Sequence, residues 1–552
     1  MDSTLDDEIL DAFKALSPST AYLMGFNEYA GKLFIPSQEN VDAALAKVHE
    51  FQRKAENELQ VKALDSMETM LHFNEPQPVL DDIIGTIFAL LVKEGINDEH
   101  MLLLLRNAVE ALDASTKRYS GGNIPVGVKA LVLYRLGGVM EILDTVKEQT
   151  KSGAVKEACD GLKAKASEYV HLFELEGFGV GEFPNVEKIF KREGFDLGRQ
   201  NFYSEVLSRG LDYGETAEEL ERKALSWIDE ELPKFRKTTE VLAKKFGCKA
   251  TSEEVEAAIN SRIKLDPKGL VKTTQKIRKA IQPFENQDVH GINPRYKTTV
   301  IETPPYLTGT IPSGAAQFFD TYTRKPFQVF FQTTDPKRDP AKSVTELMNL
   351  LVHEEYGHCV HHSNSVMGFV GKVPKLQLLP GLPTGGPITE GLSFNREIEF
   401  LEVSRKLEKK RKLSRAEKDY VKLADKYGGL KLINLELEFW TRRWRLIRFL
   451  RVVGDVRINT GKQGLLEFVD WANNYTGVPR SSMYFQLFPA HEGMFPGYAT
   501  SYAVVGQEIR ALERKIKDDK KRVKFSTYLC SIGFPPRSIY VSLLKAYLKK
   551  QK

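Results

Sequence analysis

The sequence predicts a mainly α-helical fold with a small β element. Three observations carry this: amphipathic periodicity near 3.6 residues through most of the chain, one proline-rich interruption, and two short β-branched and aromatic runs inside that interruption. Residues 41–63, 82–95, 99–117 and 216–247 each place apolar side chains three and four apart, and so read as helices. Turn residues gather at Asn74-Glu-Pro-Gln-Pro, at Ser120-Gly-Gly-Asn-Ile-Pro and across 177–184, which read as loops between helices. Eight of the 25 prolines fall in 283–340 and leave no room for long helices there. Within that stretch, 297–302 (KTTVIE) and 327–333 (FQVFFQT) favour strand. Helical patterning resumes over 343–365, 388–411, 415–466 with a break at Gly428-Gly429, and 497–517. We therefore expect a helical lobe at 1–282 and a catalytic lobe at 283–552, interlocked as one body.

Composition narrows the possible functions. The 552 residues are 42% apolar and 28% charged, which suits a soluble globular chain with a large core. Lys+Arg at 79 against Asp+Glu at 74 leaves a net charge of +5, too small to mark a nucleic-acid partner. Basic runs at 405–418 and at the carboxyl end read as a solvated turn and tail, since neither interleaves aromatics. Apolar stretches such as 83–92 fall short of the ~20 residues a membrane helix needs, so no membrane partner is expected. The amino end is acidic, the reverse of a secretion signal, and the four cysteines form no CxxC pair. These features predict a cytoplasmic protein.

The least random feature is a histidine cluster. Four of ten histidines lie within ten residues, in His353-Glu354-Glu355-Tyr356-Gly357-His358-Cys359-Val360-His361-His362. A metal that activates water for hydrolysis needs two converging imidazoles, a third protein ligand and a carboxylate to take a proton from that water. His353, His358 and Glu354 fit, except that five residues of helix set the histidines about 140° apart. A one-residue π-bulge restores convergence, and Gly357, without a Cβ, is placed to permit it. His358 and His362 form an alternative i, i+4 pair, but Cys359 stands where the general base belongs. Histidines that merely fill a helix are a further alternative, and whether His361 or His362 assists the metal stays open.

Downstream, Pro387-Ile-Thr-Glu390-Gly391-Leu-Ser-Phe-Asn-Arg-Glu397 places two glutamates seven apart, on one helix face within about 20°. Glu390 can be the third ligand, while Glu397, two turns on, orients a ligand histidine from behind.

These segments together resemble the domain-of-unknown-function family 885, zinc metallopeptidases related to the thimet oligopeptidase and carboxypeptidase Taq type. The resemblance rests on His353 to His358, on Thr389-Glu390-Gly391-Leu392-Ser393 with Glu397, on Pro496-Gly497-Tyr498-Ala499-Thr500-Ser501-Tyr502, and on Ser17 to Gly25. Departures are a missing proline before Gly357, which gives the His-Glu-x-x-Gly-His spacing of dipeptidyl peptidase III, and Leu392 where the family has tryptophan. It implies a helical peptidase with a deep channel and one Zn2+ ion, in which His491 and Tyr498 face the scissile carbonyl. Tyr498, His491 or Tyr502 would then donate to the oxyanion.

The resulting expectation is zinc-dependent hydrolysis of peptide bonds in short peptides, of oligopeptidase or carboxypeptidase type. His353, His358 and Glu390 hold the ion, and Glu354 is the general base. The strand at 327–333 would run beside the motif helix and pair with an extended substrate, with Phe327, Val329 and Phe331 at the binding face. The alternatives are hydrolysis of a non-peptide amide and a helical scaffold with a structural metal.

Overall fold

A computed structural model describes residues 4–551, apart from 177, 181–185, 309, 310, 312, 338 and 339. The break expected at 177–184 lies largely outside the described residues. The fold is mainly α-helical with one small three-stranded sheet.

Where sequence signals were strong, the helices follow them. Ala217–Phe246 is framed by a capping box between Thr216 and Glu219 and stops at Gly247, whose φ of 71° suits only a residue without a Cβ. The single helix expected over 41–63 is two, Gln38–Lys54 and Glu58–His72, because the Asn57 side chain accepts from the Gln60 N–H and starts a new helix. The helix expected over 82–95 begins earlier, at Gln77, with a proline in its first turn where a missing N–H costs nothing. Gly428-Gly429 breaks the later run as expected, but a second break follows, so that Arg415–Lys426, Leu430–Asn459 and Leu465–Thr476 are separate helices. The basic run spans the turn between the first of these and the helix before it; Lys409 and Arg411 are exposed there, and Lys410 pairs with Glu417.

The sheet holds strands β1 (Thr298–Glu302), β2 (Gly314–Phe319) and β3 (Phe327–Gln332) in the order β1-β3-β2. β1 runs parallel to β3 with Thr298 opposite Gln328, and β2 runs antiparallel to it with Gly314 opposite Gln332. β2 was not anticipated, since its Gly-Ala-Ala-Gln start carries no β-branched residue. Its presence changes the role expected for 327–333. β3 is the central strand, hydrogen-bonded on both edges, and cannot accept a substrate strand. Val329 and Phe331 are buried in the core, and the ring of Phe327 stacks on Phe319 at 4.7 Å. Phe327, Val329 and Phe331 are therefore packing residues of the sheet rather than a substrate-binding face.

The largest apolar cluster joins Leu80, Leu105, Leu131 and Ile142 to Trp440, Phe449 and Val453, so the amino-terminal helices close over the long helix Leu430–Asn459. A second cluster sets Leu347, Leu351 and Tyr356 against Phe284, Phe400 and Tyr420, and holds the motif helix from the other side.

Within that second region Glu285 is fully buried, and neither carboxyl oxygen has a hydrogen-bond partner; His290 Nδ1 stands 3.3 Å away. Burial pushes its pKa from 4.5 up to about 8, although Arg396 pulls the other way. Between those two values the folded chain holds a proton that the unfolded chain has lost, so this group's contribution to stability falls as pH rises. Glu285→Gln is expected to remove that dependence. Relative to the native chain it should gain up to about 1.4 kcal/mol per pH unit between about pH 5 and pH 8. Denaturant midpoints across this range would show it, and a pH-independent difference would refute it.

Candidate metal centre

The segment Val352–Cys359 is a π-helix set between the α-helices Val344–Leu351 and Val360–Val366. The extra residue per turn brings His353 and His358 together, with ring centroids 4.9 Å apart and planes at 86°. This is the distortion that the five-residue spacing calls for. Gly357 permits it for a second reason, the approach of the neighbouring helix Gly386–Leu407. A Cβ on Gly357 would lie 2.2 Å from Ser393 Oγ and 2.8 Å from Ser393 Cα. Gly357→Ala must push the two helices apart, at an expected cost of about 1–3 kcal/mol, read as a lowered thermal midpoint together with weakened metal retention.

Each imidazole is oriented from behind. His353 Nδ1 lies 2.7 Å from Glu397 Oε1, and Arg448 Nη1 in turn holds both oxygens of that carboxylate at 2.7 and 2.9 Å. His358 Nδ1 lies 3.0 Å from Ser393 Oγ. The Glu397 carboxylate can only accept, so it takes the Nδ1 proton of His353, and in both rings it is Nε2 that faces Glu390. Glu390 Oε2 sits 3.6 Å from His353 Nε2 and 3.4 Å from His358 Nε2, buried and without a hydrogen-bond partner. These separations are too long for good hydrogen bonds. They match the ~3.3–3.6 Å edges of a tetrahedron whose ligands stand about 2.0–2.2 Å from a zinc ion. The residues present therefore fit one ion, which His353, His358 and Glu390 would hold.

Electrostatics agree with the geometry. Burial and Arg448 press the His353 pKa down, but Glu390 and Glu397 outweigh them and lift it to about 9. Burial opposes ionisation of Glu390, yet His358 and His353 hold its carboxyl well below the usual range. A metal entering here displaces a proton from His353, so affinity falls with falling pH.

Glu354 completes the group, offering a carboxylate oxygen within 4.8 Å of both imidazoles. Its Oε2 accepts the Ala316 N–H at 2.8 Å, and burial raises its pKa against the pull of His358 and His353. Ala316 belongs to β2, an edge strand, and Ser313 C=O bonds Thr333 N–H, so the register turns Ala316's own N–H away from β3 and toward the site. Sequence reasoning missed this anchor.

The remaining candidates converge on the same place. The Tyr498 hydroxyl donates to Glu390 Oε1 at 2.6 Å, which turns Oε2 toward the histidines. Tyr502 packs 6.1 Å from the His353 ring and 6.0 Å from the Tyr498 ring. His491 lies 5.7 Å from both tyrosine rings. Its expected donor role needs correction: burial and Arg451 hold it well below its ordinary pKa, and Nδ1 bonds the Gln486 carbonyl. The ring is neutral with its proton on Nδ1, so Nε2 is an acceptor. A buried network fixes this loop: Arg199 donates to Glu492 at 3.2 Å and to Glu75 at 2.7 Å, and Asp455 accepts the Gly497 N–H at 3.2 Å.

The other motif histidines are committed elsewhere. His362 contacts Thr321 Oγ1 at 2.8 Å and Gln328 Nε2 at 2.9 Å, while His361 Nε2 lies 2.8 Å from the Gly533 carbonyl. Cys359 is buried and free. Sequence reasoning missed Ser393, Arg448 and Arg451. The available signal was the spacing of Arg445, Arg448 and Arg451 at every third position of a helix that is otherwise apolar there.

No protein-family model and no curated protein matches the chain. Solved structures do. A chain described as "the putative lipoprotein from Colwellia psychrerythraea" is 12% identical with a TM-score of 0.62, over 99% of this chain and 100% of its own. A "putative lipoprotein of unknown function from Shewanella oneidensis" is 17% identical with a TM-score of 0.66, over 98% of this chain and 99% of its own. At these identities the likeness is one of fold alone. It nonetheless corrects two expectations. The resemblance to family 885 is overturned, because no family model matches and the chains that share the fold are described as lipoproteins of unknown function, not as metallopeptidases. The class names that came with it, hydrolase, protease, metallopeptidase and zinc, fall as family attributes; a few short segments that meet one chemical need do not fix the descent of 552 residues. The cytoplasmic placement is corrected by the same descriptions, since charge balance and sparse cysteines do not encode an address. No helix among the described residues is long and apolar enough to cross a membrane.

Proposed function

We propose that the chain hydrolyses amide bonds in short peptides, using one zinc ion held by His353, His358 and Glu390. The observation that carries this reading is the buried, unpartnered Glu390 Oε2 at 3.4 and 3.6 Å from two imidazole nitrogens, with Glu354 alongside. A purely structural zinc is closed by four protein ligands and has no use for a neighbouring carboxylate. When bound, zinc supplies a Lewis acid that polarises the scissile carbonyl and lowers the pKa of a water molecule.

The chain's own residues do the rest. Glu354, anchored through Oε2 to Ala316, takes the proton of the attacking water on Oε1 and delivers it to the leaving amine. Its raised pKa suits both tasks. Tyr502 is the tyrosine placed to donate to the oxyanion, because Tyr498 is occupied with Glu390. An extended substrate lies along the outer edge of β2, whose backbone groups at Gly314 and Phe318 share the outward orientation of Ala316.

Incubating the full chain, zinc added, with a mixed peptide library and a panel of non-peptide amides tests this, with products read by mass spectrometry. Cleavage of short peptides that a chelator stops supports the reading. Cleavage of the non-peptide panel alone would move the substrate class, and peptide cleavage untouched by chelation would end the proposal.

A further inference from the structure

The long helix Leu430–Asn459 carries arginines at every third position, 442, 445, 448 and 451, and the first three have hydrogen-bonded acceptors. Arg445 donates to Gln507 Oε1 at 2.8 Å and lies 3.6 Å from Glu231. Arg448 is paired with Glu397. Arg451 is 4% exposed, and its Nε and Nη1 are buried with no hydrogen-bond partner. Its guanidinium carbon lies 4.9 Å from the centroid of the neutral Tyr502 ring, and burial and Arg448 oppose its charge while the Glu390 carboxylate favours it. Glu390 is turned elsewhere, with Oε1 on the Tyr498 hydroxyl and Oε2 toward the two histidines. Three buried N–H groups of a guanidinium, on Nε and Nη1, without an acceptor are costly unless an anion arrives to fill the place.

We propose that Arg451 receives a carboxylate of the substrate, and that the favoured peptides end in a free α-carboxylate close to the scissile bond. This rests on the hydrolytic reading above and adds a substrate class to it. The planar fork of arginine matches a carboxylate with two parallel hydrogen bonds. The α-carboxylate is the one anion that every peptide with a free end carries. An acidic side chain offers the same chemistry from a different source.

Binding without turnover separates these cases. The full chain carrying Glu354→Gln, loaded with zinc, is titrated with Ala-Ala-Phe, with Ala-Ala-Phe amide and with Ala-Ala-Glu amide. The free acid is expected to bind on the order of 10- to 100-fold more tightly than its amide. Adding Arg451→Gln should erase that difference, and Arg451→Lys should restore only part of it, because lysine keeps the charge and loses the fork. Equal binding of acid and amide in the Arg451-intact protein overturns the proposal, whatever the substitutions do to folding. So does a preference that survives Arg451→Gln, which would place the carboxylate on the metal instead. Tightest binding of Ala-Ala-Glu amide overturns the assignment to the chain end. No step of this test needs hydrolysis, so an acid preference with no turnover from the native chain would sink the hydrolytic reading and leave the carboxylate site standing.

Discussion

Glu354→Gln is expected to keep its zinc and lose its turnover. Glu354 stands beside the two histidines, and on the proposed reading it acts on water and is not a ligand. Its Oε2 is tied to the Ala316 N–H, and the group that replaces Oε1 in glutamine cannot accept a proton. General acid–base catalysis by a positioned side chain contributes about 10²–10⁴-fold, so peptide hydrolysis should fall by that factor while metal content stays at the native level. The comparison needs both measurements on one preparation. Undiminished cleavage would remove Glu354 as the base, and loss of zinc would make it a ligand.

His358→Ala and His362→Ala should have opposite consequences for the metal. The first removes a proposed ligand from the π-helix and leaves Glu390 Oε2 facing a single imidazole. Its effect on zinc affinity should exceed the ~10–100-fold that follows when only an orienting partner is lost. The second removes a ring held by Thr321 and Gln328 and stacked on Phe318 at 4.5 Å, with no part in the site. It should cost stability and spare the metal. Competition against a chromogenic chelator reads both. Zinc lost on His362→Ala and retained on His358→Ala would reverse the ligand pair.

Much of this was legible in the sequence where a local rule decides the structure. The capping signals at Thr216 and Gly247 set a helix within one residue at each end. The five-residue histidine spacing called for a π-bulge, and the seven-residue glutamate spacing put Glu390 and Glu397 on one face, where one meets the metal side of His353 and the other its back. What was not legible depends on partners far along the chain. Pairing order made 327–333 the centre of the sheet instead of its edge, and the edge went to Gly314–Phe319, whose small residues give no strand signal. The arginines at 448 and 451 stand out as charges in the otherwise apolar stretch 446–453, but only the folded chain distinguishes the one that is paired from the one that is not. The proton position on His491 follows from a single carbonyl, that of Gln486. Descent is a different matter from chemistry: a donor set can be read from a few residues, a family cannot.

The most direct test of a catalytic metal here is a zinc titration of the full chain after it has been stripped by a chelator, with bound zinc and peptide turnover followed in the same samples. The expected result is that turnover starts near zero, rises in proportion to bound zinc and levels off at one equivalent. Turnover that is already complete before zinc is added, or zinc that binds at one equivalent without any cleavage of peptide or amide, would contradict it.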